Sequence, residues 1–153
     1  MVREVSGLHH TGYTVSDLDR SLRFYQDLLG CELLGIQERN GGYLAAIVGY
    51  PEAHVRMAHL RVVGSQHVIE LFEYLAPTPG RLALEPRNVG TAHMCFVVAD
   101  LDATYERLLA AGVDFISPPV EVDMGASAGG RALYLHDPDG IPMELFQLPP
   151  AKD

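Results

Sequence analysis

An α+β fold made of two βαβββ modules is what the 153-residue chain predicts, on three observations. His10-Thr-Gly-Tyr-Thr-Val-Ser-Asp-Leu-Asp19 and His93-Met-Cys-Phe-Val-Val-Ala-Asp-Leu-Asp102 agree at His, Val, Asp, Leu and Asp, 83 residues apart. Each continues into helically spaced apolar residues closed by glycine, Leu18 to Leu29 before Gly30 and Leu101 to Ala111 before Gly112. Each half then ends alike, Ile69-Glu-Leu-Phe-Glu73 and Met143-Glu-Leu-Phe-Gln147, 74 residues apart. Self-similarity on this scale means one supersecondary unit used repeatedly. The two offsets make the second module about nine residues shorter in its middle.

The opening segments at His10 and His93 read as strands. Ser16 or Asp17, and Asp100, supply side-chain oxygens to cap the helices that follow, and Gly30 and Gly112 suit the left-handed residue that ends one. Leu22, Phe24 or Tyr25 and Leu28 or Leu29, then Leu101, Tyr105, Leu108 and Leu109, form the packed faces. Apolar runs resume at Cys31-Glu-Leu-Leu34 and Val113-Asp-Phe-Ile116. Tyr43 to Gly49 and Met57 to Val63 read as strands of the first half, and Arg131 to His136 as one of the second. His136-Asp-Pro-Asp-Gly140 is a turn joining antiparallel neighbours. The repeats span about residues 5–76 and 89–149 of a single domain, joined by the Pro- and Gly-bearing linker 77–88. Gly125–Gly130 lacks the following helix and Lys-Ser/Thr pair of a phosphate loop, and reads as a turn or a loop over a pocket.

Eleven Lys and Arg against 20 Asp and Glu leave a formal charge of −9, which repels nucleic acid and anionic membrane surfaces. The one lysine, Lys152, is next to the C-terminus, so lysine-based covalent chemistry is excluded. The two cysteines, Cys31 and Cys95, make no CxxC pair or disulfide framework and fit a reducing compartment. The segment from Met1, with Arg3 and Glu4, has no apolar signal core, and no stretch approaches the roughly 18 apolar residues of a membrane span. The expectation is a cytoplasmic protein with a small-molecule substrate.

Each half keeps one imidazole early and one carboxylate late: His10 with Glu70, and His93 with Glu144. A Glu in the middle of an apolar strand is costly to bury without a partner, and a divalent cation is one such partner. One His alone is more often structural than a ligand. Two His and two Glu set twice by one repeat point to a shared metal site. His9 and His67 fall out of phase with their neighbours, and His54, His59 and His136, having no evident repeat partner, are assigned to surface or packing.

His10 with Val15-Ser-Asp-Leu-Asp19 and Phe24-Tyr25, Ile69-Glu-Leu71, His93 with Val98-Ala-Asp-Leu-Asp102, and Asp137-Pro-Asp-Gly140 with Met143-Glu-Leu145 resemble the vicinal oxygen chelate superfamily. This superfamily includes glyoxalase I, methylmalonyl-CoA epimerase, extradiol dioxygenases, fosfomycin-resistance enzymes and bleomycin-binding proteins. The resemblance covers nearly the whole chain. It implies paired modules forming a cupped, mostly antiparallel sheet around one metal, with His10, Glu70, His93 and Glu144 as ligands, and a homodimer whose sites are completed within or across subunits. Glu70 stands where epimerase-like relatives carry Gln, while Thr14 and Tyr74 replace the Arg and Asn that serve glutathione in bacterial glyoxalase I.

Two imidazoles and two carboxylates suit Zn, Ni, Co, Mn or Fe as the divalent ion. A substrate with a carbonyl and an adjacent oxygen would chelate there, its neighbouring C–H acidified. Glu70 or Glu144 would then be the general base, with Glu144 favoured by its place after the turn and beside Gly125–Gly130. Arg131, Tyr74 and Tyr134 are candidates to orient the substrate. The leading expectation is a metal-dependent lyase, isomerase or epimerase of glyoxalase I-like type. The alternatives are an Fe(II) extradiol-type dioxygenase and a non-catalytic small-molecule or antibiotic binder.

Overall fold

The computed structural model describes residues 4–151; Arg3 and Lys152 lie outside them. The chain divides after Arg81 into two compact units, each with its own four-stranded mixed sheet. The first unit contains β1 (His10–Thr14), helix α1 (Leu18–Leu22), β2 (Glu32–Asn40), α2 (Gly42–Val48), β3 (His54–Arg61) and β4 (Val68–Ala76). Its strands lie in the order β1-β4-β3-β2, with β1 parallel to β4 and the other pairs antiparallel. The second unit contains β5 (Met94–Val97), α3 (Leu101–Ala110), β6 (Val120–Glu121), β7 (Arg131–His136) and β8 (Pro142–Gln147). Its order, β5-β8-β7-β6, and its strand directions are the same. The α+β reading of two related modules is therefore what the chain forms.

Helices α1 and α3 start on the capping aspartates: Asp17 accepts from the Arg20 N–H at 2.9 Å and Asp100 from the Ala103 N–H at 3.0 Å. Both close on glycines with positive φ, 76° at Gly30 and 82° at Gly112. The first helix has one residue more between cap and glycine than the second. Its C-terminal half, Arg23–Leu28, winds as a π-helix, which takes up the extra residue before the chain turns back. Alternation along the strands then separates two faces. Ile69 and Leu71 of β4 are buried, as are Leu18, Phe24 and Tyr25 of the helical segment, where α1 packs on β4; Leu133, Leu135 and Leu145 are buried in the second unit, as are Leu101 and Leu108, where α3 packs on β8. The opposite faces carry Glu70 and Glu144.

Two segments depart from the sequence reading. Val113–Ile116, expected to resume as a strand after the helix, makes only an isolated bridge from Phe115 to Leu135, and the edge strand is the short β6 further on. Tyr43–Gly49, expected as a strand, is the helix α2. Leu44, Ala45 and Val48 turn inward at helical spacing and Tyr43 and Ile47 outward, and Gly49 ends it in the left-handed conformation at φ 77°. A short run of apolar residues fits strand and helix alike, so its period cannot decide. No helix among the described residues is long and apolar enough to cross a membrane.

The turn at Asp137–Gly140 forms as expected. The Asp137 carboxylate accepts from the N–H groups of Asp139 and Ile141, both at 2.8 Å, and joins β7 to β8. Gly125–Gly130 lies in a hydrogen-bonded loop closed by Val122 and Gly130. A Cβ on Gly130 would stand 2.5 Å from the Phe146 ring, so only glycine fits there.

Candidate functional site

Glu70 lies on the middle strand β4, between β1 and β3. Gly12 of β1 is its partner on one side and His59 of β3 on the other. His10, two residues before Gly12, directs its Nε2 to Glu70 Oε2 at 3.1 Å, and its Nδ1 is engaged by His9 Nδ1 at 2.7 Å. The His59 Nε2 meets the other carboxylate oxygen, Oε1, at 2.7 Å. The Glu70 residue is only 9% exposed. Its charge is thus stabilised by imidazole N–H donors rather than by bulk water.

The second unit repeats the arrangement with one change of chemistry. His93 Nε2 lies 3.1 Å from Glu144 Oε2. The residue directly across from Glu144 on β7 is Tyr134, whose hydroxyl is 3.0 Å from His93 Nε2 and whose ring is tilted against that imidazole. Burial, then the Glu144 charge, raises the Tyr134 phenol above its usual value, so it remains a neutral donor. Cys95 sits across from Glu144 on β5, and burial, then that carboxylate, pushes its thiol up to about 11.

The structure thus brings together His10 with Glu70 and His93 with Glu144, as the repeat suggests. It also corrects the assignment of His59 to surface or packing: His59 bonds to Glu70 and occupies the place that Tyr134 has in the second unit. The usable signal was the strand register, which puts both residues directly opposite the carboxylates. His54 and His136 do pair with carboxylates away from these clusters, Glu38 and Asp114, both at 2.6 Å, and His67 bonds Thr11 at 3.0 Å.

Tyr74 shares the Glu70 face four residues along β4. It packs with Phe72, Met57 and Val55 against Leu44 and Val48 of α2, and its ring stands edge-on to Tyr50. These side chains form an apolar wall beside the carboxylate. Arg131 lies elsewhere. Two-residue alternation puts it with Leu133 and Leu135 on the helix side of β7, where its guanidinium forms a two-pronged pair with Asp102 at the start of α3. Arg56 does the same for Asp19 at 3.0 Å in the first unit. Both arginines fasten a helix to its sheet on the face away from Glu70 and Glu144.

Among the described residues, no three His, Cys, Asp or Glu side chains are arranged as a metal-holding group. Each unit holds a carboxylate hydrogen-bonded to imidazole. Its donors, Nε2 nitrogens beside carboxylate oxygens, are of the type that borderline divalent ions take. A nearly buried carboxylate also meets the need of such an ion for a charged ligand, so the residues present fit one.

Comparison with known proteins agrees with this duplicated architecture. The chain is 36% identical over 146 residues to 2-epi-5-epi-valiolone epimerase from an Actinomyces species, covering 93% of this chain and 79% of that one. It is 32% identical over 143 residues to lactoylglutathione lyase of Haemophilus influenzae, covering 90% of each. A glyoxalase family protein from Bacillus cereus has the same fold, with a TM-score of 0.83 at 22% identity over 96% of this chain and 97% of that one. The family model described as Glyoxalase/Bleomycin resistance protein/Dioxygenase superfamily matches residues 7–145, so with both His–Glu pairs inside that span the chain belongs to this superfamily.

Proposed function

We propose that the chain is a metal-dependent, cytoplasmic isomerase or epimerase of the glyoxalase type, acting on a small substrate with a carbonyl beside a second oxygen. The observation that carries this reading is the His–Glu pair formed in both units, with Glu70 almost wholly withdrawn from water. In this reading the ligands of a divalent ion of the Zn, Ni, Co, Mn or Fe group would be His10 with Glu70 and His93 with Glu144, from one subunit or from two. Such an ion, when bound, supplies Lewis acidity to the substrate carbonyl.

The remaining chemistry belongs to the chain. Glu144 takes the proton from the carbon next to the carbonyl, and the C–H electron pair moves toward the carbonyl oxygen. Return of a proton from water to the other face of that carbon gives the epimer; return from Glu144 to the former carbonyl carbon, with the hydroxyl proton passing to the other oxygen, gives the isomer. Tyr134, a neutral hydroxyl beside His93 and Glu144, keeps a donor near the developing negative charge. The wall of Met57, Phe72 and Tyr74 excludes water beside Glu70.

Similarity to an epimerase at 36% identity supports epimerisation over a glutathione-dependent lyase reaction. So do Thr14 and Tyr74, at the positions where glutathione-binding residues stand in bacterial glyoxalase I. The test is solvent-deuterium exchange followed by proton NMR, with cobalt- or nickel-loaded protein and a panel of cyclic and linear α-hydroxy ketones. Deuterium enters the α position in the loaded protein and not in Glu144→Gln. Absence of exchange across the panel overturns the proposal.

A further inference from the structure

Glu70 and Glu144 have the same place in the fold, but their cross-strand neighbours differ. Tyr134 directs its hydroxyl to the imidazole of its unit, 3.0 Å from His93 Nε2. His59 instead grips the carboxylate, 2.7 Å from Glu70 Oε1, on the oxygen that His10 leaves free. Because β4 lies between β1 and β3, the two imidazoles reach Glu70 from neighbouring strands on either side.

We propose that His59 is a positioning residue for Glu70: its Nε2–H holds Oε1 and so fixes the carboxylate with Oε2 turned toward His10. This inference rests on the metal-dependent reading above. A glutamate has three rotatable side-chain torsions, and with a single partner its carboxylate plane is free to turn. A second charge-assisted hydrogen bond on the other oxygen removes that freedom. Partners that orient a ligating group contribute to metal affinity without touching the ion. The sequence interval hides this function, because His59 becomes a neighbour of Glu70 only through the β3–β4 register.

The test uses Co²⁺ as probe, with affinity and stoichiometry from calorimetry, ligand geometry from the visible spectrum, and folding checked by circular dichroism. His59→Leu weakens Co²⁺ binding by about tenfold or more and shifts the visible bands at unchanged stoichiometry. His59→Gln, which retains an N–H donor, restores most of the affinity. In a Glu70→Ala background His59→Leu has no further effect. If His59→Leu binds like the parent, the positioning role falls while the proposed function stands.

If His59→Leu and His59→Gln both lose the ion outright, His59 is a ligand and the positioning role is again overturned. A parent protein that takes up no Co²⁺ removes the proposed function and this inference with it. Should His59→Leu fail to fold, the metal-free parent decides: its His59 Nε2–H resonance lies downfield and moves upfield in Glu70→Gln. An unmoved resonance overturns the contact.

Discussion

Both units set a glutamate on the second strand of their sheet with a histidine on the parallel neighbour, and they surround it differently. Glu70 is flanked by two imidazoles, one on each carboxylate oxygen, and lies beneath an apolar wall capped by α2. Glu144 has one imidazole and two neutral neighbours, Tyr134 and Cys95, whose pKa values are raised by partial desolvation and by the Glu144 charge. In place of α2 the second unit has a loop packed through Gly130 onto Phe146. Duplication has thus preserved the ligand-type pair and let its surroundings diverge. A carboxylate held on both oxygens suits a fixed role, and one among neutral donors suits proton transfer.

The largest effect expected is on that division of labour. Glu144→Gln should lower the exchange rate by about 10² to 10⁴, the usual worth of a general base, and lose less metal than Glu70→Gln. Glu70→Gln should lose metal first and rate in consequence. Rates from deuterium exchange, set beside metal content by elemental emission, separate the two. Equal metal loss in both variants would erase the distinction between the units.

A second comparison concerns the segments that differ between them. Gly130→Ala forces a Cβ to within 2.5 Å of Phe146 and 3.0 Å of the Gln147 carbonyl oxygen, so it should destabilise the protein by about 1–3 kcal/mol. Gly49→Ala at the end of α2 meets no atom within 4 Å and suffers only from its positive φ, at about 1 kcal/mol. Denaturant unfolding of the two variants ranks them, and the reverse order would contradict the packing described.

The smallest effect distinguishes Cys31 from Val113, the buried residues that follow Gly30 and Gly112. Burial pushes the Cys31 thiol up from 9.0 to about 11. A group with a raised folded pKa contributes its full stability below the unfolded value and loses it as pH climbs through the folded one. Stability should therefore decline between pH 9 and about 11 in the parent. Cys31→Val, which copies the second unit, should show a shallower decline. Parallel pH profiles of melting temperature for the two proteins would refute the assignment.

The helices, their aspartate caps and closing glycines, the turn at Asp137–Gly140 and the His–Glu pairs were legible because each depends on residues close in sequence or repeated at a fixed interval. Tyr43–Gly49 was not, since seven mostly apolar residues satisfy both helix and strand, and only packing on Met57 and Val55 selects the helix. Arg131 was misleading for a related reason. A charged residue on a site-bearing strand is credible as a substrate contact until alternation sends it to the other face, onto Asp102.

By itself the sequence determined that this protein is a duplicated α+β module with an imidazole and a carboxylate at matching points of each copy. Tertiary structure alone decided that His59 and Tyr134 are counterparts. They differ in residue type and lie 75 residues apart, where the glutamates they face lie 74 apart, so no fixed offset links them. Hydrogen bonding between β3 and β4, and between β7 and β8, sets each opposite its carboxylate. Pairing across a sheet joins residues by register, and register is a property of the folded strands rather than of spacing along the chain.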